Sequence, residues 1–171
     1  MRRVKLTETS LIVTWLTESH GRLKTVAKGA RGAKSAFAGQ LDLFFLGEIS
    51  YVHSSRSELH ALREVRLVET HPQLRFDYPR LALAAYFAEL IELVTEPDHP
   101  VPELYDLLKR ALAYLNAHPA NQRALVHFEK EVARSLGIHQ ETTAPATAIA
   151  RVYHKLPPSR DRLPPLPERE G

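Results

Sequence analysis

The feature that most constrains this chain is a change of hydrophobic period at His71-Pro72. Before that point apolar side chains recur every second residue, as in strands with one buried face. After it they recur at three and four, as in amphipathic helices. Strands first and helices second predict an α+β protein. In residues 10–17, Leu11, Val13 and Trp15 share one face, and after the turn Glu18-Ser19-His20-Gly21 a strand over 22–27 sets Arg22 and Lys24 opposite Leu23. A third run over 43–53 carries Leu43, Phe45, Ile49, Tyr51 and His53 on one face, with Gly47 as a bulge or sharp bend. Beyond the turn Ser54-Ser55-Arg56-Ser57, a run over 59–68 is expected to turn Leu59, Ala61, Val65 and Leu67 inward. Short consecutive strands joined by turns predict a small curled antiparallel barrel over residues 1–71.

Residues 72–140 read as a small all-α domain. Pro79 fits the first turn of a helix running to about Thr95, with Leu83, Phe87, Leu90, Ile91 and Val94 as its stripe. Pro102 opens a second helix, with Leu104, Leu107, Leu108, Ala111, Leu112 and Leu115 on one side. Asn121 is the expected N-cap of a third, in which Leu125, Phe128, Val132 and Leu136 recur until Gly137 stops it. Residues 141–171 hold one short helix near 145–155, then a stretch from 156 with 5 of the chain's 12 prolines, which predicts a disordered tail.

Composition removes several function classes. The 171 residues include no cysteine, which excludes disulfides, thiolate zinc sites, iron-sulfur clusters and a thiol nucleophile. The nine histidines include no pair at i, i+4 helical spacing, and no Gly-x-Ser-x-Gly elbow is present. The apolar run 11–16 is too short for a secretory signal, and 81–88 is closed by Glu89 long before it reaches the length of a membrane span. We therefore expect a cytoplasmic protein without an anchor, a metal, a cofactor or an enzymatic activity.

Charge points the other way, toward a partner. The net charge of +3 hides residues 1–40, which hold eight Lys and Arg against two Asp and Glu. Residues 41–71 and 72–140 are each slightly acidic, so the basic excess sits in the first quarter of the chain. Such concentration favours a polyanion. Its densest part is Lys28-Gly29-Ala30-Arg31-Gly32-Ala33-Lys34-Ser35. This is not a P-loop, because Gly29 and Gly32 stand too close together and Ala33 precedes Lys34. It is a loop of cations among small residues, whose backbone can approach phosphates closely.

Five segments together resemble the bacterial recombination mediator family RecO. They are Glu8-Thr9-Ser10-Leu11-Ile12-Val13-Thr14, His20-Gly21-Arg22-Leu23 leading into residues 26–29, Lys34-Ser35, Glu58-Leu59-His60 with Leu62-Arg63-Glu64, and Ala84-Ala85-Tyr86-Phe87-Ala88-Glu89-Leu90. The resemblance covers about residues 1–140. It implies an N-terminal OB-fold and a helical domain in a protein that binds single- and double-stranded DNA and anneals complementary strands. It also implies contact with the C-terminal tail of single-stranded DNA-binding protein, and work with RecR to help RecA load. Three departures stand out. The four-cysteine zinc module of many members is absent, the helical part is short after Gly137, and family members have some residues of a first strand where this chain has Met1-Arg2-Arg3-Val4, which puts the expected start upstream.

The expected phosphate contacts are Arg22, Lys24, Lys28, Arg31 and Lys34, extended by Arg2, Arg3 and Lys5, against the alternative of a merely solvated charged face. Trp15 shares its face with Leu11 and Val13 and is expected in the core rather than as a base-stacking platform, for which Phe44 is the better candidate. The helical domain offers a second reading, a protein-interaction adaptor that does not bind DNA. In it a groove near Arg80, Lys109 or Arg110 receives an acidic, apolar-ended peptide.

Overall fold

The computed structural model describes residues 2–32 and 34–168. The chain divides into two compact units, one running to Thr70 and including Glu96–Pro100, the other made of His71–Thr95 and the chain from Val101 on.

The first unit is a five-stranded sheet: β1 (Arg2–Lys5), β2 (Leu11–Thr17), β3 (Gly21–Ala27), β4 (Leu46–Val52) and β5 (Leu59–Glu69), in the order β1-β2-β3-β5-β4. It is OB-fold-like, a five-stranded, partly open Greek-key arrangement. Two features differ from the expected antiparallel barrel. The sheet is not closed, β1 and β4 being its two edges, and β3 pairs with β5 in parallel. The parallel pair arises because β5 lies between β3 and β4, and periodicity carries which face of a strand is buried but not which strand lies beside it. Periodicity also leaves β1 unmarked, since all four of its residues are exposed and three are cations. Backbone pairing with β2 alone makes it a strand.

Two bulges correct the reading of the last two strands. At the first, Leu46 pairs with Glu69 and Gly47 with Leu67, so Val68 is the extra residue. A Cβ on Gly47 would stand 2.9 Å from the Arg66 carbonyl oxygen, which is why this position tolerates no side chain. At the second, Ser50 pairs with Glu64 and Tyr51 with Leu62, leaving Arg63 extra. The insertion flips the alternation, so His60 and Leu62 are buried where Leu59 and Ala61 were expected, while Val65 keeps its predicted side. β4 starts at Leu46 rather than at 43 because Phe44 takes a left-handed conformation that ends the extended run. The core gathers Val13, Ala27, Phe37, Leu41 and Leu62, with Leu11, Trp15, Ile49 and Val65 packed against them.

The second unit contains α1 (Tyr78–Val94), α2 (Pro102–Ala117), α3 (Gln122–Ser135) and α4 (Pro145–Tyr153). The predicted stripes are the buried faces. Helix α1 is buried nearly all round, adding Ala84, Tyr86 and Ala88 to the five residues expected. Phe87 of α1 stacks on Phe128 of α3 with ring centroids 3.9 Å apart. Asn121 caps α3 by accepting from the Ala124 N–H at 2.8 Å. Gly137, at φ 68°, ends α3: its N–H reaches the Arg134 carbonyl and the Ile138 N–H reaches that of Ala133, the paired bonds of a Schellman stop.

The tail is where the sequence reading fails. Residues 156–168 are not a free segment but a strap on the helical unit. Pro157 is buried, the Ser159 hydroxyl donates to Glu89 at 2.6 Å, and the Pro167 carbonyl accepts the Gln122 N–H at 2.8 Å. Arg160 donates to Glu129 at 2.7 Å, and the Tyr86 hydroxyl donates to the same carboxylate oxygen at 2.7 Å. Burial, reinforced by that carboxylate, pushes the Tyr86 phenol up, and the hydrogen bond to Glu129 raises Arg160. A proline run builds neither helix nor ladder, yet it is pre-extended and loses little entropy on docking. Arg160 supplies what it needs to dock, a charge for the buried Glu129. The part of the predicted tail beyond 168 lies outside the described residues.

Candidate nucleic-acid interface

The predicted cations fall into three groups on the sheet unit. In the first, Arg22 and Lys24 project from one face of β3, opposite Leu16 and Thr14 of β2. That face is the reverse of the core side, on which Leu23, Thr25 and Ala27 are buried. Arg22 is half-buried, its carbonyl accepting the Asp98 N–H at 3.0 Å, and Lys24 lies 3.7 Å from Glu58 on the β4–β5 turn.

The second group stands at the far end of β3, about 20 Å from Arg22 at the usual rise per strand residue. Lys28, Arg31 and Lys34 are all exposed there, on the connection that leads toward β4. The loop is not floppy between Lys28 and Gly32. The Arg31 guanidinium donates to the Glu8 carbonyl at 2.9 Å and to the Thr7 carbonyl at 3.4 Å, and the Arg31 N–H donates to the Thr9 carbonyl at 3.1 Å. Arg31 therefore staples the loop to the β1–β2 turn. Lys28 and Lys34 are held out beside it, and among the described residues neither has a hydrogen bond or ion pair. Lys5 joins this end of the sheet but lies 2.6 Å from Glu8.

The third group is Arg3. It shares the core-side face with Lys5, since their partners on β2 are Val13 and Leu11, whereas Arg2 faces the Arg22 side opposite Thr14. Arg3 donates to the Leu41 carbonyl at 2.6 Å and lies 3.3 Å from Asp42, which ties the edge strand to the loop ahead of β4. The structure thus separates the predicted set by role. Arg3 and Arg31 hold backbone in place, Lys5 and Lys24 face carboxylates, and Lys28 and Lys34 present open charge. Exposed pairs such as Lys24 with Glu58 are worth little, and a phosphate can displace the carboxylate.

Both base-stacking candidates face the core. Trp15 packs against Val13 and its indole N–H donates to the Thr25 hydroxyl at 2.8 Å, while Phe44 is buried. Sequence reasoning missed Arg56, which is exposed on the β4–β5 turn beside Glu58. Its signal was present in Ser54-Ser55-Arg56-Ser57 but masked by the acidic balance of residues 41–71. Among the described residues no group of three or more His, Cys, Asp or Glu is placed to hold a metal ion, and no helix is long and apolar enough to cross a membrane.

The helical unit carries a groove of about 790 Å³ between α1, α2 and α3. Phe87, Tyr114 and Phe128 give it apolar walls, and Arg110, Arg123 and His127 stand on its rim. Of the three cations expected near such a groove only Arg110 lines it. Arg80 is turned instead to Asp77 and to the Asn116 carbonyl.

Comparison with known proteins places this arrangement. The family model for the N-terminal domain of recombination protein O matches residues 1–71, and that for its C-terminal domain matches 75–146. The DNA repair protein RecO of Rhodopirellula baltica is 33% identical over 151 residues, which is 88% of this chain and 56% of the relative. That of Pelobacter propionicus is 34% identical over 74% of this chain and 51% of the relative, and that of Anaeromyxobacter dehalogenans 35% identical over 89% and 60%. The chain therefore spans between half and about three fifths of the length of these relatives. With both domain models matched in order, over the sheet unit and then over the helices, the chain belongs to the RecO family.

Proposed function

We propose that this chain acts in recombinational DNA repair as a non-enzymatic DNA-binding mediator, at the nucleoid in the cytoplasm, and that the sheet unit holds nucleic-acid backbones. One observation carries the reading: Lys28 and Lys34 are exposed and uncompensated on a loop that Arg31 fixes to the neighbouring turn. Charge held on a rigid support attracts phosphates without the entropy cost of ordering a floppy loop. Arg22, Lys24 and Arg56 continue the cationic track along β3 and the β4–β5 turn. Annealing of complementary strands follows from screening their mutual repulsion and requires no bond chemistry. Both single- and double-stranded DNA are ligands on this reading, and RecR and RecA loading belong to the same process.

A gel-shift titration with a single-stranded oligonucleotide at two salt concentrations tests it. Affinity falls steeply with salt if phosphate neutralisation dominates. Absence of a shift at low salt contradicts the reading.

The helical groove favours a second activity beside the first. Its aromatic walls and its rim of Arg110, Arg123 and His127 suit an acidic peptide with an apolar end, and the resemblance implies an acidic C-terminal tail on single-stranded DNA-binding protein. Capture of that protein with its tail and not without it, in the absence of DNA retention, would favour the adaptor reading over the DNA-binding one.

A further inference from the structure

The sheet unit gathers four rings that no part of the phosphate track uses. His60 of β5 is 3% exposed, and its Nδ1 accepts the Ser54 N–H at 3.2 Å. That bond leaves Nδ1 without a proton and fixes the ring plane. Tyr51 of β4 stacks on it with centroids 5.3 Å apart and planes 19° from parallel. His53 lies against the same ring at 4.6 Å and 30°, and His20 meets the Tyr51 ring edge-on at 6.2 Å. The inner ring is buried, while His20 and His53 are exposed and Tyr51 is half-buried.

We propose that this cluster is a base-stacking platform for single-stranded nucleic acid, with His53 as its outermost ring and His20 at its flank. The proposal rests on the DNA-binding reading above and specifies which form of nucleic acid the sheet unit prefers. Cations stand close to the rings along the chain, with Arg22 and Lys24 leaving the face of the sheet opposite that of Tyr51 and His60, which pair with Leu62 and Thr25 on the core side. Arg22 follows His20 by two residues, and the turn after His53 carries exposed Arg56 and the Glu58 that pairs with Lys24. A single strand offers open base faces, whereas a duplex keeps its faces inside its own stack. Rings on an anchored inner layer are already ordered, so stacking a base on them costs little further entropy.

The test compares binding of the full chain to three probes of equal length: a thymidine oligonucleotide, an abasic phosphodiester strand and a duplex. The wild-type protein is expected to bind the thymidine strand at least about fivefold more tightly than the abasic one, the lower end of what one stacked base contributes. His53→Ala should remove most of that preference while leaving the abasic strand and the duplex within about twofold. His53→Phe, which keeps a ring, should restore it, and His53→Gln should not. Equal affinity of the wild-type protein for thymidine and abasic strands overturns the platform and leaves phosphate binding intact. Loss of all three probes in His53→Ala, without rescue by Phe, also overturns it. A wild-type protein that binds none of the probes overturns both readings.

Discussion

The two units treat their polar groups in opposite ways. In the helical unit the notable polar side chains are turned inward and paired: Glu129 with Arg160 and Tyr86, Glu89 with Ser159, Asn121 with the end of α3. In the sheet unit the strand periodicity buries a modest apolar core, and the cations are left on turns, on the edge strand β1 and on the outer face of β3, most openly at Lys28 and Lys34. The difference teaches where each unit's sequence is constrained. Polar residues of the helices serve the fold, so removing them should cost stability. On the proposed reading the open cations of the sheet, Lys28 and Lys34, serve a ligand, so removing them should cost affinity and leave the fold alone.

The largest effect is expected at the strap. Glu129 is almost fully buried, and Arg160→Ala leaves its carboxylate without a counter-charge. We expect about 3 kcal/mol of lost stability in the helical unit, measured by denaturant unfolding followed through the helical signal. A loss below about 1 kcal/mol would mean that the strap is peripheral and would break the contrast. A smaller effect is expected at Asn121→Ala, which removes the α3 cap: about 1–2 kcal/mol by the same measurement. Retained stability there would show that α3 is held by packing alone. Smallest of all for stability is the double replacement Lys28→Ala and Lys34→Ala, expected within about 0.5 kcal/mol of wild type. A larger change would place these lysines in the fold rather than on a ligand surface.

Much of this was legible in the sequence, and the misses have definite causes. Three helices with their caps at Asn121 and Gly137 were readable because capping is local chemistry, written within a few residues. The faces of β2 and β3 were readable because no bulge interrupts them. The face of β5 was not, since the extra residue Arg63 shifts the alternation and nothing in the local pattern marks it. The strap was misread because five prolines argue against secondary structure but say nothing about docking. What holds it is a contact between Arg160 and Glu129, 31 residues apart. The candidate site was legible as a charge cluster and illegible as a geometry. Composition could not tell Arg31, which binds backbone carbonyls, from Lys28 and Lys34, which bind nothing among the described residues.

That distinction is the centre of the account, and one measurement addresses it directly. The logarithm of affinity for single-stranded DNA should be followed against the logarithm of salt concentration for the wild-type chain and for the Lys28→Ala, Lys34→Ala variant. Two lost phosphate contacts flatten the slope by about 1.4, at about 0.7 for each on a single strand. An unchanged slope, with the variant folded and binding as tightly as wild type, would contradict the assignment and move the phosphate site off this loop.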